Sequence, residues 1–172
     1  DSIALAEEDG DAATVDRAGA ALIVRGAFSA AHRTHAPQLS DEENLALYGK
    51  CDIVHGHNYC VEVSFPLDVA SGHGPQSPLH HVLAEFDHKN LSTDIPDLRG
   101  RNVVTEALAE LIARRVPAAN RARVWETPDF YAEYRRGEAE YRLGRRYGFN
   151  AVHRLNGPEL TGHSYTVEVA LR

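Results

Sequence analysis

The stretch Cys51–Tyr59, C-D-I-V-H-G-H-N-Y, sets His55 and His57 two residues apart at the head of a run that alternates polar and apolar side chains. Residues i and i+2 of a strand project from the same face, so a strand here lets both imidazoles converge on one point. A third imidazole stands upstream at His32, closing the strand-like run F-S-A-A-H-R over 28–33. Three neutral imidazoles form a donor set that a catalytic zinc ion prefers, with the fourth position left to water or substrate. Cys51 lies close by but is not needed as a ligand, which leaves its thiol to act as a base or nucleophile. A lone His-x-His pair reads equally well as surface or satisfied core histidines. The third histidine on a second strand and the adjacent cysteine tilt the reading to a metal centre.

Composition narrows the class. A chain of 172 residues with 43% hydrophobic content can bury a core without disulfide staples. The net charge is −7, with Asp1, Glu7, Glu8, Asp9, Asp11 and Asp16 concentrated at the start. That balance argues against a nucleic-acid partner or an anionic membrane surface. Cys51 and Cys60 do not make a secreted disulfide framework and read as reduced thiols, so a cytoplasmic location is expected. The sequence has no apolar run of about 18 residues and no signal-peptide pattern. Its first residue is Asp rather than Met, which implies that further residues precede it.

In chain order, residues 1–20 are acidic and Ala/Gly-rich and read as a mobile arm. A first strand is expected over about 21–32. Ser40-Asp41-Glu42-Glu43 spells a capping box, and Gly49 can close the short helix it opens. A second strand over about 57–65 puts Tyr59, Val61, Val63 and Phe65 on one face and Cys60, Glu62 and Ser64 on the other. Residues 66–77 form a Gly/Pro/Ser-rich connection, and Ser77-Pro78 reads as a helix start. Leu79, Val82, Leu83 and Phe86 keep the spacing of an amphipathic helix. A second helix is expected to begin with Asn102 as its cap, burying Val104, Ala107, Leu108, Leu111 and Ile112. Strands follow over 121–126 and 130–136, completing a ββααββ order in which two helices cover one face of an antiparallel sheet. His73, His80 and His81 carry no motif and read as surface histidines.

The end of the chain repeats its beginning. Y-G-F-N-A-V-H-R (147–154) echoes G-A-F-S-A-A-H-R (26–33), and T-G-H-S-Y-T-V-E-V (161–169) echoes H-G-H-N-Y-C-V-E-V (55–63). Residues 138–172 are thus the first hairpin of a second, incomplete unit. An isolated hairpin is marginal, so this one must pair with the first unit, another chain or further residues. It keeps His153 and His163, has Thr161 in place of His55 and lacks a Cys51 counterpart, which favours a structural role.

With these motifs in place, the sequence resembles the 6-pyruvoyl-tetrahydropterin synthase family, which includes the bacterial 6-carboxy-tetrahydropterin synthases of queuosine and deazapurine biosynthesis. F-S-A-A-H-R, S-D-E-E-N-L-x-L-Y-G-K-C, H-G-H-N-Y, F-D-H-K-N-L, T-E-A-L-A and V-W-E-T occur in family order across about residues 21–136. The resemblance implies an α+β tunnelling fold (T-fold), here a complete catalytic domain over 21–137. It also implies a homo-oligomer, trimer or hexamer, with active sites at subunit interfaces. His32, His55 and His57 look like the zinc ligands. Cys51 matches the catalytic thiol, and Asp87 with His88 matches the pair completing the proton-transfer set. Glu126 matches the carboxylate that anchors the pterin, and Thr105-Glu106 falls in a segment bordering the pterin pocket. Each has a plainer reading: Asp87-His88 as a helix-end cap, Glu126 as an exposed strand carboxylate, Thr105 and Glu106 as first-turn residues.

The implied substrate is 7,8-dihydroneopterin triphosphate. C-x-x-x-H-G-H is the spacing usual in the bacterial enzymes, whereas S-D-E-E-N-L looks like the tetrahydrobiopterin type. The expected reaction is formation of 6-carboxy-5,6,7,8-tetrahydropterin with release of acetaldehyde and triphosphate. The alternatives are triphosphate elimination to 6-pyruvoyl-tetrahydropterin and a non-catalytic pterin-binding member. The segment after the second strand is shorter than usual in the family, and Val104 stands where Thr is common.

Overall fold

The structure is a computed structural model that describes residues 3–6, 12–16, 19–66, 76–154 and 157–172, with side chains described from residue 21 onward except 76 and 77. The strands in chain order are β1 (Ile3–Ala6), β2 (Ala12–Asp16), β3 (Gly19–His32), β4 (His55–Pro66), β5 (Lys89–Asn90), β6 (Arg121–Thr127), β7 (Phe130–Arg135), β8 (Tyr141–His153) and β9 (Thr161–Leu171). The helices are α1 (Asp41–Tyr48), α2 (Gln76–Phe86), α3 (Leu91–Asp94) and α4 (Thr105–Arg115). Among the described residues they build one sheet in the order β1-β2-β3-β4-β6-β7-β8-β9, with β5 parallel beside β3. The element order β3-β4-α2-α4-β6-β7 is the expected ββααββ unit.

Alternation decides which face is covered. Val24, Phe28, Tyr59, Val61, Val63, Ala122, Val124 and Ala132 turn the same way and are buried. Against them pack Leu79, Val82, Leu83 and Phe86 of α2 and Leu108, Leu111 and Ile112 of α4, as their helical spacing requires. Each such side chain contributes about 1.5–3 kcal/mol on leaving water. α2 lies against β3, and α4 against β6 and β7. At the crossing of α2 and β3 the strand has Gly26, where a β-carbon would stand 2.5 Å from Leu83 Cδ1.

Helix ends follow the sequence in part. Ser40 and Glu43 form the reciprocal capping box, and Gly49 ends α1 at φ 55°. The second long helix starts at Thr105 instead of Asn102, with Val104 at the cap position and no side-chain cap. The Asn102 side chain is turned to Tyr48 instead, its Nδ2 donating to Tyr48 Oη at 2.9 Å, and its Oδ1 meets no helix N–H. Between the two long helices lie β5, α3 and a 3-10 turn over Pro96–Leu98, in a stretch to which the sequence pattern assigns no element. Asn90 caps α3 by accepting from Ser92 N.

Both termini join the sheet. Residues 1–20 were expected to be an arm, but β1 and β2 lie within them, β2 pairing antiparallel with the first part of β3. The cause is the length of β3: its Gly19–Ile23 segment presents backbone groups on the side away from β4, and an added strand satisfies them. At the other end β8 pairs antiparallel with β7, and β9 with β8. The connection expected over 66–77 lies mostly outside the described residues, as does His73.

Candidate metal centre

Strand β4 carries His55 and His57 on its covered face, and the register sets His32 directly opposite His55. The three rings converge, with centroids 4.5 Å apart for His32–His55, 5.3 Å for His32–His57 and 4.9 Å for His55–His57. Glu126, at the end of β6, closes the group, and the ligand atoms of all four residues lie within 4.8 Å of one another.

Two backbone carbonyls aim the rings. His32 Nδ1 donates to Val103 O at 2.8 Å, and His55 Nδ1 donates to Ile53 O at 2.7 Å. A carbonyl can only accept, so each contact puts a proton on Nδ1 and leaves Nε2 as the nitrogen able to bind a metal. His32 is 1% exposed. Its Nε2 and that of His57 are buried without a well-formed hydrogen bond, although each faces Glu126 Oε1, at 3.0 and 3.3 Å. Orphaned buried nitrogens of this kind are costly unless something binds them. Burial holds His57 below the usual imidazole range, in the neutral form a metal requires. Burial also opposes charge on Glu126, yet contact with His32 and Thr105 outweighs it and keeps that carboxyl below its ordinary range. Three imidazole nitrogens and a carboxylate oxygen at this separation fit a divalent ion of the zinc type.

The remaining residues singled out in the sequence fall into three places. Thr105 is buried and donates to Glu126 Oε2 at 2.9 Å, so it orients the carboxylate. Glu106, half-buried in the first turn of α4, is outside the cluster. Asp87 and His88 form a pair of their own: His88 Nδ1 donates to Asp87 Oδ2 at 2.8 Å, and Asp87 Oδ1 accepts from Ser29 N at 2.8 Å. His88 is 82% exposed and takes a left-handed φ of 57°, a conformation non-glycine residues hold only when neighbours impose it. Its amide donates to Ser29 O at 2.6 Å, which supplies that constraint. His57 and His88 line the same groove, about 500 Å³, with Ser29, Asn58 and Asn90.

Cys51 sits in a 3-10 turn over Gly49–Asp52, is half-buried and is not among the four clustered residues. Its carbonyl accepts from Thr34 N at 2.9 Å, tying the turn to the chain just after β3. The next residue, Asp52, is buried and takes hydrogen bonds from Arg33 and His35. Buried Asn44 of α1 in turn accepts from Ala36 N and donates to Ala36 O. The only sequence signal for this brace is a charged residue directly after His32 (Arg33) and another of opposite sign directly after Cys51 (Asp52).

Comparison with known proteins places the chain in context. A family model described as 6-pyruvoyl tetrahydropterin synthase matches residues 21–137. A 6-pyruvoyl tetrahydrobiopterin synthase of Dictyostelium discoideum is 42% identical over 53% of this chain and 73% of its own length. One of Drosophila melanogaster is 35% identical over 66% of this chain and 78% of its own. A putative 6-carboxy-5,6,7,8-tetrahydropterin synthase of Archaeoglobus fulgidus is 31% identical over 63% of this chain and 90% of its own. The solved structure of 6-pyruvoyl tetrahydropterin synthase from Caenorhabditis elegans superposes with a TM-score of 0.61 at 28% identity, covering 67% of this chain and 94% of that one.

Proposed function

Because the chain belongs to the 6-pyruvoyl tetrahydropterin synthase family, we propose that it is a zinc-dependent lyase acting on 7,8-dihydroneopterin triphosphate. The observation that carries this reading is the convergence of His32, His55, His57 and Glu126 within 4.8 Å, on the covered face of a T-fold sheet. His32, His55 and His57 would hold the ion. A bound zinc ion acidifies a coordinated hydroxyl and stabilises developing oxyanion charge.

The chain's own groups have separate tasks in this scheme. Glu126, oriented by Thr105 through Oε2, accepts the N–H and NH₂ donors of the pterin edge, which fixes orientation as well as affinity. Cys51 removes a side-chain proton from a turn braced against the end of β3. His88, its ring set by Asp87, returns or relays a proton. The wide exposure of that pair suits a homo-oligomer in which it serves a site shared between subunits. Among the described residues no helix is long and apolar enough to cross a membrane.

For the product, the C-x-x-x-H-G-H spacing supports 6-carboxy-5,6,7,8-tetrahydropterin, with release of acetaldehyde and triphosphate, as in queuosine-type pathways. The second reading is 6-pyruvoyl-tetrahydropterin, favoured by the names of the Dictyostelium and Drosophila relatives. Incubation of the zinc-loaded protein with dihydroneopterin triphosphate decides between them. Acetaldehyde with triphosphate supports the first, and triphosphate alone supports the second. Binding without either product overturns both in favour of a pterin-binding protein.

A further inference from the structure

Strands β8 and β9 repeat β3 and β4 in register as well as in sequence. Phe149 faces Tyr165 as Phe28 faces Tyr59, and both pairs stack, with centroids 5.2 and 4.8 Å apart and planes 16° and 15° from parallel. In each hairpin a serine hydroxyl donates across the strands to an asparagine, Ser29 to Asn58 and Ser164 to Asn150. What differs is the covering. Phe28, Tyr59, Val61 and Val63 are at most 4% exposed beneath the helical layer. Their counterparts Phe149, Tyr165, Val167 and Val169, with Tyr147 and Leu171 on the same face, are 39–66% exposed.

The helical layer is continuous with this face and stops at its margin. Glu110 of α4 accepts from Tyr141 Oη at 2.8 Å, and Leu143 still packs against the core. Beyond Leu143 the same face runs on uncovered along both strands. Strict alternation with an open apolar side is the pattern of a sheet that buries that side against something.

Two residues specify the occupant. Gly26 lets Leu83 of α2 close on β3, but its counterpart in β8 is Tyr147. The chain's own α2, or the same helix from a second copy, would drive Leu83 into that ring. Whatever covers β8 must have a small side chain there. Val24, fully buried, has Arg145 as its counterpart. Arg145 lies over the Tyr147 ring at 5.5 Å and has no acidic partner among the described residues. Covering it requires a carboxylate, because an unpaired buried charge is not tolerated. The apolar face of β8 and β9 carries no Asp or Glu, so two copies packed face to face would not supply one.

We propose that this face is the docking surface for an amphipathic helix other than α2 or α4, lying over β8 as α2 lies over β3. That helix carries a small residue against Tyr147 and an Asp or Glu against Arg145. It belongs to a further polypeptide segment that completes the second unit.

The test is photo-crosslinking of the full chain in the cells that produce it, with p-benzoylphenylalanine at position 149 and, on the opposite face, at position 152. The expected result is a crosslink from 149 and none from 152. Sequencing should place it in a segment with apolar residues at i, i+3, i+4 and i+7, a Gly, Ala or Ser among them and an acidic neighbour. Arg145→Glu should cut the yield at least about tenfold, and Arg145→Lys should retain it. A crosslink to residues 76–115 of this chain, to β8 or β9 of a second copy, to a segment without that pattern, or to no polypeptide overturns the proposal. So does an unchanged yield in Arg145→Glu.

Discussion

Arg33 clasps Asp52 side-on: its Nε donates to Asp52 Oδ1 at 2.9 Å and its Nη2 to Oδ2 at 3.1 Å, while Nε also reaches the Asp52 carbonyl at 2.6 Å. One partner follows His32, a proposed ligand, and the other follows Cys51, so the clasp fixes how the thiol-bearing turn sits against the candidate metal site. The Arg33 guanidinium and the His35 ring hold the Asp52 carboxyl below its usual range, which keeps the clasp charged at neutral pH. Asp52→Ala should therefore lower kcat about 10–100-fold while bound zinc stays near wild type. Turnover of dihydroneopterin triphosphate alongside metal analysis checks this. An unchanged kcat removes the positioning role.

Ligand and thiol should separate cleanly. His55→Ala is expected to empty the metal site, because Glu126 is committed to the pterin edge and only His32 and His57 remain of the three imidazoles proposed to hold the ion. Cys51→Ser should keep the metal and the fold yet lose at least about a hundredfold in rate, the scale of a missing general base. Metal stoichiometry and single-turnover kinetics distinguish the two. Equal metal loss in both variants would make Cys51 a ligand instead of a base.

Glu133 gives a stability prediction with a pH sign. It is 1% exposed on the face away from the helices and accepts from Arg123 at 2.6 Å, Arg135 at 2.9 Å and Arg121 at 3.4 Å. Burial opposes its charge, but Arg123 and its neighbours prevail and hold the carboxyl below the usual range. A depressed folded value means the contribution is complete above the unfolded carboxylate range, about 4.3, and is lost as pH falls through the folded value. Glu133→Gln should cost about 2 kcal/mol at pH 7, less than a fully dry ion pair because Arg135 keeps part of its surface in water. Urea unfolding at pH 7 and pH 3 should show the difference shrinking at the lower pH.

Gly26→Val should destabilise by about 1–3 kcal/mol through overpacking against Leu83. The double variant with Leu83→Ala should recover part of that loss. Recovery measured as non-additive stability identifies the contact, whereas simple additivity would place the cost elsewhere.

The convergence of the three histidines was legible because its signal is covalent spacing. His-x-His on a strand points both rings one way whatever the surroundings, and pairing β3 with β4 brought His32 opposite. Tyr59, Val61 and Val63 announced the covered face by alternation, and Ser40 with Glu43 announced α1 by its cap. The carbonyls of Val103 and Ile53 could not be read, since every residue has one and only the fold decides which meets an imidazole. Asn102 looked like a helix cap because caps are local, but its side chain is oriented by a tertiary partner, Tyr48 Oη, and its oxygen meets no helix N–H. β1 and β2 escaped notice for a similar reason: an acidic, Ala-rich segment has weak strand propensity by itself, and the open side of β3 is what recruits it.

The pairing of β7 with β8 has a consequence for dilution. Only residues 136–140 separate the two strands, and a connection this short holds β8 at an effective concentration of order millimolar or above beside its partner. Pairing along that seam is a first-order event, indifferent to how much protein is in the tube. Strand exchange at β7 by a second molecule must displace a tethered competitor. Any concentration-dependent growth of the sheet is thereby directed to its outer margins, β1 and β9.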